Sequence, residues 1–186
     1  MSRCTSVLFG VLLVAITAGK PAAQGVTLAG DLIKDWKAQK DTMLRIADAM
    51  PEDKFGFRPT VPQRSYGEQI LHVAGANIML MKFLGAKATA PPINDADLKV
   101  FGLKAISKAD ILNALGDSYD YGEAVLKEFA DASLIQTIKG PRWIGEATRA
   151  KMVYYTLGHT QDIYGQMAVY LRLNGIVPPA SRRGGV

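Results

Sequence analysis

The chain has 186 residues, one cysteine, two histidines, and 22 Lys and Arg against 17 Asp and Glu. Its excess of five positive charges falls to three once Arg3 and Lys20 are set aside, and no stretch interleaves basic with aromatic residues as a nucleic-acid surface does. Nucleic acid is therefore not an expected partner. Cys4 lies near the N-terminus, so the remainder has no disulfide framework, thiol nucleophile or thiolate metal site.

Arg3, the apolar run Val7 to Ala18 and the small residues Pro21-Ala22-Ala23 form the pattern of a secretory signal peptide, residues 1–23. The run is too short to span a bilayer comfortably; an uncleaved anchor is the competing reading. Cleavage predicts an exported protein, periplasmic or secreted, with no stable membrane span. Residues 24–186 then form one domain of about 160 residues, enough for a real core.

From Leu32, apolar residues recur at Trp36, Met43, Ile46 and Met50 with polar residues between them, which predicts a helix with one buried stripe. Pro51 ends it, and the segment through Pro62 is a tight connection. Ser65-Tyr-Gly-Glu68 has the form of a capping box and opens a second helix through Leu84. His72 shares a helical face with Gln69, Gly75, Ala76 and Met79, and the small residues leave room for a neighbouring helix or a ligand. Gly85 to Ile106 loses the helical period and carries Pro91-Pro92, which predicts a crossover or a lid. Ser107-Lys-Ala-Asp110 opens a third helix, and Leu134 to Arg142 reads as a short strand or hairpin. A fourth helix starts near Glu146 and holds His159; Gly175 and Pro178-Pro179 close it. It is apolar on nearly every face, so it is expected to be the buried wall of the bundle. Trp36 is expected to anchor the core and Trp143 to staple the start of the fourth helix.

The expected fold is all-α: a four-helix bundle with a long crossover connection. A first-row metal site could draw only on His72, His159 and carboxylates. On a helix, residues four apart share a face, but the position four after His159 is Ile163. Asp162 is the nearest carboxylate and points about 100° away from Ile163; Asp120 and Glu123 of the third helix are alternatives. Tyr164, Gln166 and Tyr170 lie near His159 and are candidate pocket residues, against ordinary bundle packing. Arg58 and Arg64 could receive an anionic substrate or be solvated loop charges. There is no Gly-rich phosphate loop and no Gly-x-Ser-x-Gly elbow.

Phe57-Arg-Pro59, Arg64-Ser-Tyr-Gly-Glu-Gln-Ile-Leu-His72-Val-Ala-Gly-Ala-Asn77 and Leu157-Gly-His159-Thr-Gln-Asp-Ile-Tyr-Gly-Gln166, followed by Tyr170 to Pro179, resemble the DinB-like (YfiT-like) family over nearly all of residues 24–186. The resemblance implies an up-down-down-up bundle, often a homodimer, with a divalent metal (Zn, Ni or Fe) on one histidine of the second helix and a His-x-x-x-His pair of the fourth. It implies metal-dependent hydrolase or transferase chemistry on a small molecule. His72 and His159 match two of the three ligands, and Ile163 stands where the third would be. Three readings stay open: a pocket that binds without metal, a site repaired by a carboxylate such as Asp162, or a scaffold alone, serving as a non-catalytic envelope protein. Export argues against an intracellular low-molecular-weight thiol as the usual partner.

Overall fold

The computed structural model describes residues 26–91 and 107–182. Residues 1–23, read above as a signal peptide, and the middle of the crossover connection, residues 92–106, lie outside them, as does the reading of that connection as a lid.

Four long helices carry the fold: α1 (Leu28–Asp48), α2 (Tyr66–Lys82), α3 (Lys108–Lys127) and α5 (Arg149–Leu173). A single turn, α4 (Asp131–Leu134), and the strands β1 (Thr137–Lys139) and β2 (Glu146–Thr148) join α3 to α5. Each long helix starts on a hydroxyl that accepts a free backbone N–H: Thr27 from Gly30, Ser65 from Glu68, Ser107 from Asp110 and Thr148 from Lys151. At Ser65 the box is complete, because the Glu68 carboxylate accepts from the Ser65 N–H at 2.6 Å. Gly175 takes a φ of +72° just past α5, where a side chain would be strained.

The helices pack as a square in which α1 and α2 each touch α3 and α5. Contacts at the helix ends fix the directions. Tyr66 at the start of α2 donates its hydroxyl to the carbonyl of Ile46 near the end of α1. Lys108 at the start of α3 reaches the carbonyls of Asp48 and Met50. Glu128, just past α3, accepts from the N–H groups of Lys87 and Ala88, just past α2. Tyr170 near the end of α5 donates to the Arg64 carbonyl at 2.8 Å. Thus α2 and α3 run together and against α1 and α5, the up-down-down-up order.

Trp36 anchors α1 as expected. It is 1% exposed, its indole N–H donates to the Tyr119 carbonyl at 2.8 Å, and its ring fills the notch left by Gly122. The most enclosed helix, however, is α2, with thirteen of seventeen residues buried, against eleven of twenty-five in α5. The expectation that α5 is the buried wall is corrected: its outer side keeps Tyr154, Val169 and Leu173 at least half exposed. The helix also begins at Arg149 rather than near Glu146, because Glu146 to Thr148 pair antiparallel with Thr137 to Lys139. This is the hairpin anticipated around residues 134–142.

Candidate functional site

Antiparallel packing of α2 on α5 sets Gln69 against Gln166 and sets His72, about one turn on along α2, against His159, about two turns back along α5. The amide of Gln69 donates to Gln166 Oε1 at 2.7 Å, and the two imidazole Nε2 atoms stand 3.1 Å apart. The rings are tilted by 49° with centroids 5.0 Å apart. At that separation one Nε2 carries the proton and the other accepts it.

Both imidazoles are held neutral. Burial, then the nearby Arg64 guanidinium and the His159 ring, push the His72 pKa down to about 4. Burial also lowers that of His159; Asp162 opposes this, and Arg64 adds to it. Nδ1 of His159 is buried and meets no partner among the described residues. A stranded acceptor is a lesser fault than a stranded N–H donor. The arrangement therefore favours His159 as donor through Nε2 and His72 as acceptor.

The pair opens on a cavity of about 250 Å³. Gly75 and Ala76 of α2 give it depth, Met79 and Leu80 make it apolar, and Tyr155 and Trp143 stand at its edge. The stripe of small residues beside His72 thus makes room for a cavity. Trp143 is 62% exposed at the mouth, so its expected role as a staple for α5 is corrected. The hairpin carries it outward to cover the histidines instead. Tyr155 lies one turn before His159, and helical spacing alone would have found it. Trp143 could not be found that way, since its place depends on the hairpin.

The other candidates go elsewhere. Asp162 is exposed and accepts from the Gln166 amide at 3.1 Å. Tyr164 is half-buried against the core, and Tyr170, 1% exposed, packs between Phe57 and Tyr66. None of Tyr164, Gln166 and Tyr170 is among the residues lining the histidine cavity. Asp120 pairs with Lys40, and Glu123 with Lys127. Arg58 pairs with Glu68 at 2.7 Å.

Ile163 is 3% exposed on the face of α5 that carries His159. Among the described residues no three His, Cys, Asp or Glu side chains converge to hold a metal ion. A zinc site needs at least three protein donors as a rule, and hydrocarbon offers none. The donor set therefore does not fit a three-histidine centre.

A four-helix up-down-down-up bundle with a histidine from α2 facing one from α5 defines the class of scaffold. The DinB superfamily profile matches residues 35–167. This chain belongs to the DinB superfamily. Two solved structures share its fold. One is a DinB-like protein from Bacillus cereus ATCC 10987, with a TM-score of 0.68 and 17% identity over 82% of this chain and 96% of that one. The other is a DinB-like protein from Bacillus subtilis, YjoA, with a TM-score of 0.59 and 13% identity over 78% and 92% of the two chains. No curated protein matches the chain.

Proposed function

We propose that this protein is an exported DinB-superfamily member that binds a small molecule in the α2/α5 cavity without the three-ligand metal centre of the family pattern. Ile163 carries the reading: a buried hydrocarbon stands at the family pattern's third-ligand position, one turn from His159 on the same helical face, while the two neutral imidazoles open on an apolar cavity. Such a site suits a compact, uncharged ligand with an apolar body and one hydroxyl or carbonyl. Trp143 and Tyr155 supply the aromatic edge, and the imidazole pair supplies one polar contact.

A second reading rests on the 3.1 Å between the two Nε2 atoms. Two nitrogens on one tetrahedral zinc, each bonded at about 2.0–2.1 Å, stand roughly 3.3 Å apart. The pair thus keeps the spacing of two ligands, and a bound molecule could supply the rest. A hydrolase or transferase activity belongs to this reading.

Metal content separates the two. Protein purified without a His tag and loaded in turn with Zn, Ni, Fe and Mn is expected to retain only traces. Stoichiometric metal that disappears in His72→Ala overturns the metal-free reading. In parallel, p-cresol is expected to perturb Trp143 fluorescence saturably, and no saturable response in the parent protein counts against a cavity ligand. N-terminal sequencing of the native protein tests export, with a new terminus expected near Gln24.

A further inference from the structure

The cavity beside the histidine pair is drawn out along α2. His72 and Met79 both line it and stand seven residues apart, about 10.5 Å of helix. Because α5 runs antiparallel, Tyr155, one turn before His159, flanks the middle of that length. The polarity is one-sided: the imidazoles stand at one end, and the Met79 and Leu80 side chains at the other. No carboxylate and no fixed cation is among the lining residues; Arg64, whose charge both histidines feel, is not one of them. A charged head would therefore be taken from water without a counter-charge. The imidazole end still has a hydrogen bond to give. With His159 donating through Nε2, the neutral His72 ring keeps its own proton on Nδ1. That atom has no partner among the described residues and, unlike Nδ1 of His159, is not enclosed.

Resting on the reading that this cavity holds an uncharged ligand, we infer that the ligand is an unbranched aliphatic alcohol or carbonyl compound of about eight carbons, its oxygen at His72 and its tail running along α2 to Met79. The length selects the chain. C–C bonds of about 1.5 Å advance an extended chain by roughly 1.3 Å per carbon, so eight carbons cover about 10.5 Å. The width agrees: a volume of about 250 Å³ over that length lies below the roughly 300–1,000 Å³ of drug-sized sites and suits one chain rather than fused rings. Gly75 and Ala76 let the chain lie close to the helix, and the flexible Met79 thioether adapts to its end.

The test titrates the purified protein with 1-butanol, 1-hexanol, 1-octanol, 1-decanol and p-cresol, followed by Trp143 fluorescence. The dissociation constant is expected to fall about fourfold per added methylene as far as 1-octanol and then to level off. Octanoate and n-octylamine, of the same length, are expected to bind at least about tenfold more weakly than 1-octanol. Met79→Ala opens the far end in a partly buried position and is expected to move the levelling from 1-octanol to 1-decanol. A constant that keeps falling at the same rate to 1-decanol in the parent marks unselective apolar adsorption and overturns the inference. So does octanoate or n-octylamine binding as tightly as 1-octanol, or a Met79→Ala series that levels where the parent does. Saturable p-cresol binding with no dependence on alcohol length removes the chain ligand and leaves the cavity reading in place. No saturable response to p-cresol or to any alcohol removes both.

Discussion

Replacing Ile163 with histidine would give α5 a His-x-x-x-His pair facing the α2 histidine. Two Nε2 atoms already stand 3.1 Å apart, close to the ligand spacing of tetrahedral zinc. The added imidazole would project from the same face one turn further on. Zinc held by four protein ligands is worth roughly 10–16 kcal/mol, or about 3 kcal/mol per ligand, so the third ligand should tighten binding by about two orders of magnitude. Without metal the substitution is unfavourable. Ile163 is 3% exposed, and a polar ring in its place costs about 1–3 kcal/mol. At free zinc one hundred times the dissociation constant, binding returns about 2.7 kcal/mol, enough to offset that cost. Ile163→His should therefore melt below the parent in chelator and recover when zinc is added. Competition with a chromophoric chelator gives the affinity directly. The double variant with His72→Ala should lose the gain. Equal zinc affinities for Ile163→His and the parent would refute the assignment of position 163 to the metal-facing side of the histidine pair.

Three further outcomes follow from the packing and charge. His72, with a folded pKa of about 4 against 6.5 unfolded, binds fewer protons when folded between those values. Stability should thus be highest above pH 6.5 and fall as pH drops toward 4, with His159 acting in the same sense. Urea melts across that window check this, and His72→Gln with His159→Gln should flatten the slope. In Gly122→Ala the new Cβ would stand 2.1 Å from Trp36 Cζ2, on a ring already fixed by its hydrogen bond to Tyr119. A loss of about 1–3 kcal/mol, with a shift in Trp36 emission, is expected, and an unchanged melting temperature would contradict the notch. Ser65→Ala removes the hydroxyl half of the α2 capping box and should cost about 1 kcal/mol in thermal or urea unfolding.

Most of the fold was legible because its determinants are local. The helix starts at Ser65 and Ser107, the stripe from Leu32 to Met50 and the Gly175 stop can each be read within a few residues, whereas the Thr27 and Thr148 caps emerged only from the structure. The family resemblance supplied the helix directions, which no local pattern contains. What failed needed knowledge of neighbours. The apolar outer residues of α5 suggested burial all round, but hydrophobic content cannot tell which side lacks a covering element. His72 and His159 were legible as a pair, and so was the gap at Ile163. Trp143 was not, because the β1–β2 hairpin carries it to the cavity mouth. Asp162 shows the limit of sequence proximity. It is three residues from His159, but its carboxylate turns outward to the Gln166 amide.

The histidine spacing is set by the rest of the core. In the middle of the bundle the buried Asn77 amide of α2 donates to the Ser118 hydroxyl of α3 at 3.2 Å. Its carbonyl accepts from the Thr160 hydroxyl of α5 at 3.4 Å. One buried side chain therefore ties three helices together, and a slide of α5 along α2 would strand its polar atoms at a cost of about 1–3 kcal/mol each. The Gln69–Gln166 contact pins the same two helices on the far side of the histidines. His72 sits between these two fixed points on α2, and His159 stands next to Thr160 on α5, so protein contacts on both helices fix how the two rings approach. A bundle whose register depended on three metal ligands would lose that register with the third. Here the polar core holds it, so the two imidazoles meet at 3.1 Å on the wall of the cavity while Ile163, one turn further along α5, stays buried.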